Sequence, residues 1–103
     1  MRYTWDNRKN AANVRKHGIP FEVAVLIFEG PVFERADERY HYGEERCIAF
    51  GLAQAQEIAV VYVDEDEDTR RIISARPTTR RERALYWKII GQQNRLGPAP
   101  KND

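Results

Sequence analysis

Cysteine is nearly missing from this chain, and the single one, Cys47, has no partner for a disulfide. A small scaffold stapled by disulfides is therefore excluded, and a reducing compartment is the natural setting. Long apolar runs are missing too. The two longest, residues 23–28 and 58–63, fall far short of the roughly 20 residues that cross a bilayer. Residues 1–10 hold no apolar signal segment, so neither export nor membrane insertion is expected, and the expected location is cytoplasmic. Histidine is scarce as well: His17 and His41 lie 24 positions apart, and with one cysteine they offer no metal-ligand spacing of the usual kind. No metal or other cofactor is expected. Glycine-rich phosphate loops and nucleophile elbows are absent.

What remains is a heavily charged globular composition. The 103 residues are 42% hydrophobic and 32% charged, enough for one domain with one modest core. The formal net charge of +1 hides a sharp segregation. Residues 70–83 hold six arginines against one acid, Glu82, a local charge of +5. Directly before them, Asp64-Glu65-Asp66-Glu67-Asp68 supplies five negative charges. The arginines call for an anionic counterpart; the acidic run reads as a solvated hairpin tip, or as a device that keeps nucleic acid off one side.

The pattern of apolar residues predicts an α+β fold. Residues 2–5 alternate as a short strand, and Asp6 stands where a helix N-cap belongs. The first helix ends with Arg15, Lys16 and His17 in its last turn, where cations suit the macrodipole, and with Gly18 as a left-handed cap. Pro20 opens a second helix on which Phe21, Ala24, Val25 and Phe28 recur at the helical period, until Gly30-Pro31 stops it. Residues 32–43 read as irregular, with Phe33 an anchor and Tyr40-His41-Tyr42 extended. A meander of three antiparallel strands follows. Residues 45–53 place Arg46, Ile48, Phe50 and Leu52 on one face and Glu45, Cys47 and Ala49 on the other; residues 58–63, apolar on both faces, form the central strand; residues 69–76 complete it. Thr79 and Glu82 have capping-box spacing, so the last helix is expected over about 80–90, with Leu85, Tyr86 and Ile89 facing inward. Residues 1–92 make a single domain, and 93–103 are expected to be a disordered tail.

Alternation in the third strand places Arg70, Ile72, Ser74 and Arg76 on one face and Arg71, Ile73 and Ala75 on the other. Arg76 is the most informative: it stands at a strand end, where several elements converge, and its planar fork suits phosphate. The plainer possibility is an arginine paired with Glu45 or Glu82. An imidazole is the side chain suited to acid or base work near neutral pH, so His17 can be an acid or a base, or simply a helix cap. Lys16 beside it is equally open. Tyr86, four residues after Glu82, shares its helical face and can be core, a hydroxyl donor near the arginines, or a stacking platform for a base.

Taken together, Tyr3-Thr4-Trp5-Asp6 with Lys9, Asn13, Lys16-His17-Gly18 and Phe21-Glu22 resembles the opening of the BrnT family of type II toxins. Tyr42-Gly43-Glu44-Glu45-Arg46 with Gly51, and Arg71-Ile72-Ile73-Ser74-Ala75-Arg76 with Arg81-Glu82-Arg83 and Tyr86, are similar to its later segments. The likeness spans residues 3–88. It implies a RelE-like fold, an antiparallel sheet packed by helices, and a metal-independent endoribonuclease that halts translation. It also implies an antitoxin of the BrnA type, whose ribbon-helix-helix portion binds operator DNA for the pair. Family features carry over to Lys16, His17, Glu45, Arg46, Arg71, Ser74, Arg76, Glu82 and Tyr86. On this basis Arg76 and Arg71 are expected on the scissile phosphate, with Lys16 and Arg46 as supporting cations and Ser74 in the RNA-binding surface. His17 or Glu45 is expected as base, Tyr86 or His17 as acid, and Glu82 as the group that orients an arginine. Pro20, Cys47 and the highly charged tip depart from the family pattern without removing a candidate residue. The alternative is a binding module without catalysis, its arginines gripping RNA or an acidic partner.

Overall fold

Asp6 ends strand β1 (Arg2–Trp5) and starts helix α1 (Asn7–His17), its carboxylate accepting from the amides of Arg8 at 2.7 Å and Lys9 at 3.2 Å. Gly18, at φ 72°, closes the helix by donating to the Val14 carbonyl, as its left-handed position requires. The structure, a computed structural model, describes residues 1–39 and 43–96. Tyr40-His41-Tyr42 and residues 97–103, expected to be extended and tail respectively, lie outside the described residues.

Helix α2 (Phe21–Ala24) is one turn long and passes into a 3-10 turn, Val25–Glu29. Pro20 stands one position before the helix and has no side-chain cap to offer. Asn10 supplies it from α1: its Oδ1 accepts from the Phe21 amide at 2.8 Å, and its Nδ2 donates to Glu22 at 3.1 Å. The 3-10 turn sits so close to the sheet that a Cβ on Gly51 would lie 2.9 Å from that of Ile27.

The remaining elements are β2 (Phe33–Ala36), β3 (Cys47–Ala53), β4 (Gln56–Asp66), β5 (Thr69–Pro77) and α3 (Arg80–Leu96). Strands β3, β4 and β5 form the expected antiparallel meander with β4 in the centre. The sheet as a whole is mixed rather than antiparallel. Strand β1 runs parallel to β5, from Arg2 opposite Thr69 to Trp5 opposite Ile72, and β2 adds a fifth strand beside β3, giving the order β1-β5-β4-β3-β2. Strand β2 falls where an irregular passage was expected, because of its four residues only Phe33 carries an apolar signal, stacked on Phe50 at 5.9 Å. Helix α3 continues through Gly91 to Leu96. One glycine costs a helix about 1 kcal/mol and does not by itself end it.

Each face of the sheet has its own core. Phe21, Ala24 and Ile27 pack on Ala49, Ile58, Val60, Tyr62, Ile72 and Ala75; on the opposite face Tyr86 and Ile90 of α3 pack on Ile48, Phe50, Ala59 and Val61. Ile58 to Val63 are all buried, as strands covered on both sides must be. No helix among the described residues is long and apolar enough to cross a membrane.

The alternation predicted for β5 holds only as far as Ile73. Val61 pairs with Ser74 and the next residue, Tyr62, pairs with Ile72, so Ile73 is an inserted bulge residue. The insertion inverts the faces beyond it. Arg70, Ile72 and Ala75 lie on the α2 side, whereas Arg71, Ser74 and Arg76, opposite Val63, Val61 and Ala59, lie on the α3 side. Arg71 and Arg76 thus share the face that strict alternation divides between them.

Candidate active site

Helix α3 covers only part of its face of the sheet. Beside it a cleft of about 340 Å³ opens, lined by Val61, Ile73, Lys16, His17, Asp37, Arg39, Arg46, Ser74 and Arg76. Three parts of the chain wall it. The C-terminal end of α1 brings in Lys16 and His17, the bulged strand supplies Ser74 and Arg76, and Asp37 and Arg46 meet across the β2–β3 pair, where the Asp37 amide donates to the Arg46 carbonyl at 2.8 Å.

The end of α1 is held there by Asn13. Its buried amide Nδ2 donates to the carbonyls of Ile19 and Ala75, both at 2.8 Å, and its Oδ1 accepts from the Ala75 amide at 3.1 Å. Pairing of β1 with β5 ends at Ile72, so Asn13 takes over the open edge of β5 beyond the bulge. His17, half-buried, lines the cleft with Ser74 and Arg76.

Arg76 lies in a bidentate pair with Glu82, Nη1 to Oε1 at 2.8 Å and Nη2 to Oε2 at 2.9 Å. Hydrogen bonds from Arg76, together with the Thr79 amide, hold the Glu82 carboxyl down to about 2. Thr79 and Glu82 complete the reciprocal capping box predicted from their spacing. Arg76 is therefore oriented by the first turn of α3 and faces the cleft with its geometry fixed.

Arg46 lines the cleft and reaches Glu44 at 3.4 Å, and Glu44 also accepts from Arg71 at 2.8 Å. The bond from Arg71 lowers the pKa of Glu44. Arg71 additionally donates to Glu65 at 2.9 Å and stands outside the cleft, one carboxylate away from Arg46. Asp37 is buried, and its carboxyl is held below the usual range by Arg39, which donates to it through two nitrogens.

Besides Arg71, and Glu82 behind Arg76, two more expected members do not line the cleft. Tyr86 is 1% exposed, packed in the α3 core, and its hydroxyl donates to the Pro31 carbonyl at 2.9 Å. Burial raises its pKa, so the group that was expected to donate a proton is enclosed and engaged. Glu45 is exposed and lines a neighbouring hollow with Glu38 and Cys47. Asp37 and Arg39 went unpredicted, and Glu44, foreseeable as a partner of the arginines, was not among the expected site residues. Glu44 had a signal, since the alternation that sets Arg46 beside Ile48 also sets Glu44 on that face; Asp37 and Arg39 fall in the passage read as irregular. Among the described residues no three His, Cys, Asp or Glu side chains converge to hold a metal ion.

A family model described as the ribonuclease toxin BrnT of a type II toxin-antitoxin system matches residues 5–82. The chain belongs to the BrnT family. The fold is similar to that of the Brucella abortus ribonuclease toxin BrnT, solved at 1.1 Å, with a TM-score of 0.58 and 24% identity over 78% of this chain and 99% of that one. Comparison with curated proteins finds no match. The BrnT match ends at Glu82, so it takes in every residue that lines the cleft.

Proposed function

We propose that this BrnT-family chain is the toxin of a type II pair, a metal-independent endoribonuclease of RelE-like fold that cleaves RNA and so inhibits translation. Its partner is proposed to be a BrnA-like ribbon-helix-helix antitoxin, with operator DNA reached only through the complex. The observation that carries the reading is the meeting of Lys16, His17, Arg46, Ser74 and an oriented Arg76 in one cleft on the sheet face.

In the proposed reaction the 2′ oxygen of a ribose attacks the adjacent phosphorus, the bond to the 5′ oxygen breaks, and a 2′,3′-cyclic phosphate and a 5′ hydroxyl result. His17 takes the proton from the 2′ hydroxyl, as an imidazole can near neutral pH. Arg76 and Arg46 face the charge that develops on the phosphorane, and Ser74 offers a hydroxyl to a non-bridging oxygen. Lys16 protonates the leaving oxygen, since arginine does not give up its proton and Tyr86 lies in the core. Arg71 acts through Glu44, fixing Arg46.

Replacing a proton-transfer group typically costs about 10²- to 10⁴-fold in rate. His17→Ala and Arg76→Ala are each expected to lose at least about a hundredfold in cleavage of a defined RNA, with the parent's activity unchanged by a chelator. Products would be resolved for their ends. Undiminished cleavage by both variants, or products without a cyclic phosphate, would overturn these assignments, whereas RNA bound but left intact by the parent would put the non-catalytic RNA-binding module in their place.

A further inference from the structure

The cleft does not stop at Arg76. A second hollow of about 440 Å³ adjoins it and shares Asp37, Arg39 and Arg76 with it, so those three side chains form a sill between two chambers. The second chamber falls in the range of roughly 300–1,000 Å³ that small-molecule sites occupy. Its floor includes Ile48, which is buried, and its rim carries Arg35 and Glu38, both exposed.

Arg35 differs from four of the arginines of β5 and α3. Arg70, Arg71, Arg76 and Arg83 are each engaged by a carboxylate, whereas among the described residues none pairs with Arg35. Its guanidinium instead lies 5.3 Å from the centre of the Phe50 ring. That contact holds the planar group beside the apolar floor. A guanidinium plane next to an apolar surface is a platform for a nucleobase, because every base has a π-face and stacking requires no particular sequence. A carboxylate at the rim suits the ring N–H or amino donors on a base edge. Phosphate bound at the sill, by Arg76, places the next nucleoside over one chamber or the other.

We propose that the chamber formed by Arg35, Glu38 and Ile48 is a subsite for the nucleotide next to the scissile phosphate, its base stacking on Arg35. The subsite rests on the reading of the cleft as the place of RNA cleavage. It makes Arg35 a binding residue and Glu38 a determinant of base preference.

The test uses the full chain and DNA oligonucleotides that carry one ribonucleotide, which fixes the point of cleavage. The oligonucleotides are trimmed stepwise from either end. With the parent, kcat/KM is expected to drop by at least about fivefold when the nucleotide occupying the subsite is removed, a typical stacking contribution. Arg35→Ala is expected to lose a similar factor on the untrimmed oligonucleotide and nothing further on the trimmed one. Glu38→Gln should change the order of preference among the four bases at that one position. An Arg35→Ala loss that is equal for trimmed and untrimmed substrates, or no loss at all, overturns the subsite while leaving the cleavage reading intact. A parent that cleaves none of these oligonucleotides, nor any longer RNA, overturns both.

Discussion

Glu82 serves α3 and the cleft together: it closes the capping box with Thr79 and grips Arg76 through both oxygens. Glutamine at this position keeps a cap acceptor, so Glu82→Gln isolates the ion pair. Its loss is expected to cost about 1.5–3 kcal/mol at neutral pH, the range for a hydrogen bond to a charged group. Because the carboxyl is depressed from 4.5 to about 2 in the folded chain, that stability is present above 4.5 and lost as the pH falls through about 2. Urea unfolding of parent and variant across that window should show the two converging; a constant gap would point to packing instead. Tyr86→Phe makes the complementary test. It keeps the ring in the core and removes only the bond to Pro31, so a loss of about 0.5–1.5 kcal/mol in unfolding with unchanged cleavage is expected. A collapse of cleavage would return Tyr86 to the reaction. The two residues also differ in how readable they are. Thr79, Glu82 and Arg76 lie within a few positions of one another, and spacing alone suggests their contact. The partner of Tyr86 is 55 positions away, and no local pattern in the chain could name it.

Elements were readable from periodicity wherever it ran unbroken. The meander, its central strand, the helix caps and Tyr86 of α3 follow from apolar spacing and from Asp6, Gly18 and Thr79, whereas Ile90, rather than Leu85 or Ile89, is the second core residue of that helix. The bulge at Ile73 did not follow, because Ile72-Ile73 are both good strand residues and nothing in their chemistry marks an insertion. That one extra residue decides the site, since it turns Ser74 and Arg76 to the face that Arg71 already occupies. Asn13 is what makes the end of α1 meet this inverted segment. Asn13→Ala leaves a buried amide and two carbonyls without their partner. A cost of about 3 kcal/mol is expected, as for other broken buried networks, read from denaturant unfolding. Asn13→Asp should not restore it, because a carboxylate accepts but cannot donate to the Ile19 and Ala75 carbonyls. Stability equal to the parent in either variant would show that the β1–β5 pairing alone holds the α1 end in place.

Across the molecule the arginine surplus of residues 70–83 is smaller than its count. Arg70 is bound to Asp64 at 2.7 Å and packed over the rings of Phe28 and Tyr62, Arg71 is bound to Glu65 and Glu44, Arg76 to Glu82, and Arg83 stands 3.6 Å from Glu57. The acidic tip is therefore in part the counterion of the arginines that follow it, a role the linear sequence hides because the two runs meet only when β4 folds back on β5. A chain so neutralised should bind RNA through few phosphates. Single strands give a salt dependence of about −0.7 per phosphate contact, so Lys16, Arg46 and Arg76 together predict a slope of log K against log salt near −2, against about −4 if all six arginines took part. An RNA with a 2′-deoxy residue at the point of cleavage, titrated by fluorescence anisotropy over a range of sodium chloride, measures this without turnover. A slope near −2 that shrinks by about 0.7 in Lys16→Ala or Arg46→Ala fits binding confined to the cleft. A slope near −4 would mean that phosphate displaces Asp64, Glu65, Glu44 and Glu57 from their arginines, and that RNA covers the whole face rather than entering the cleft beside His17.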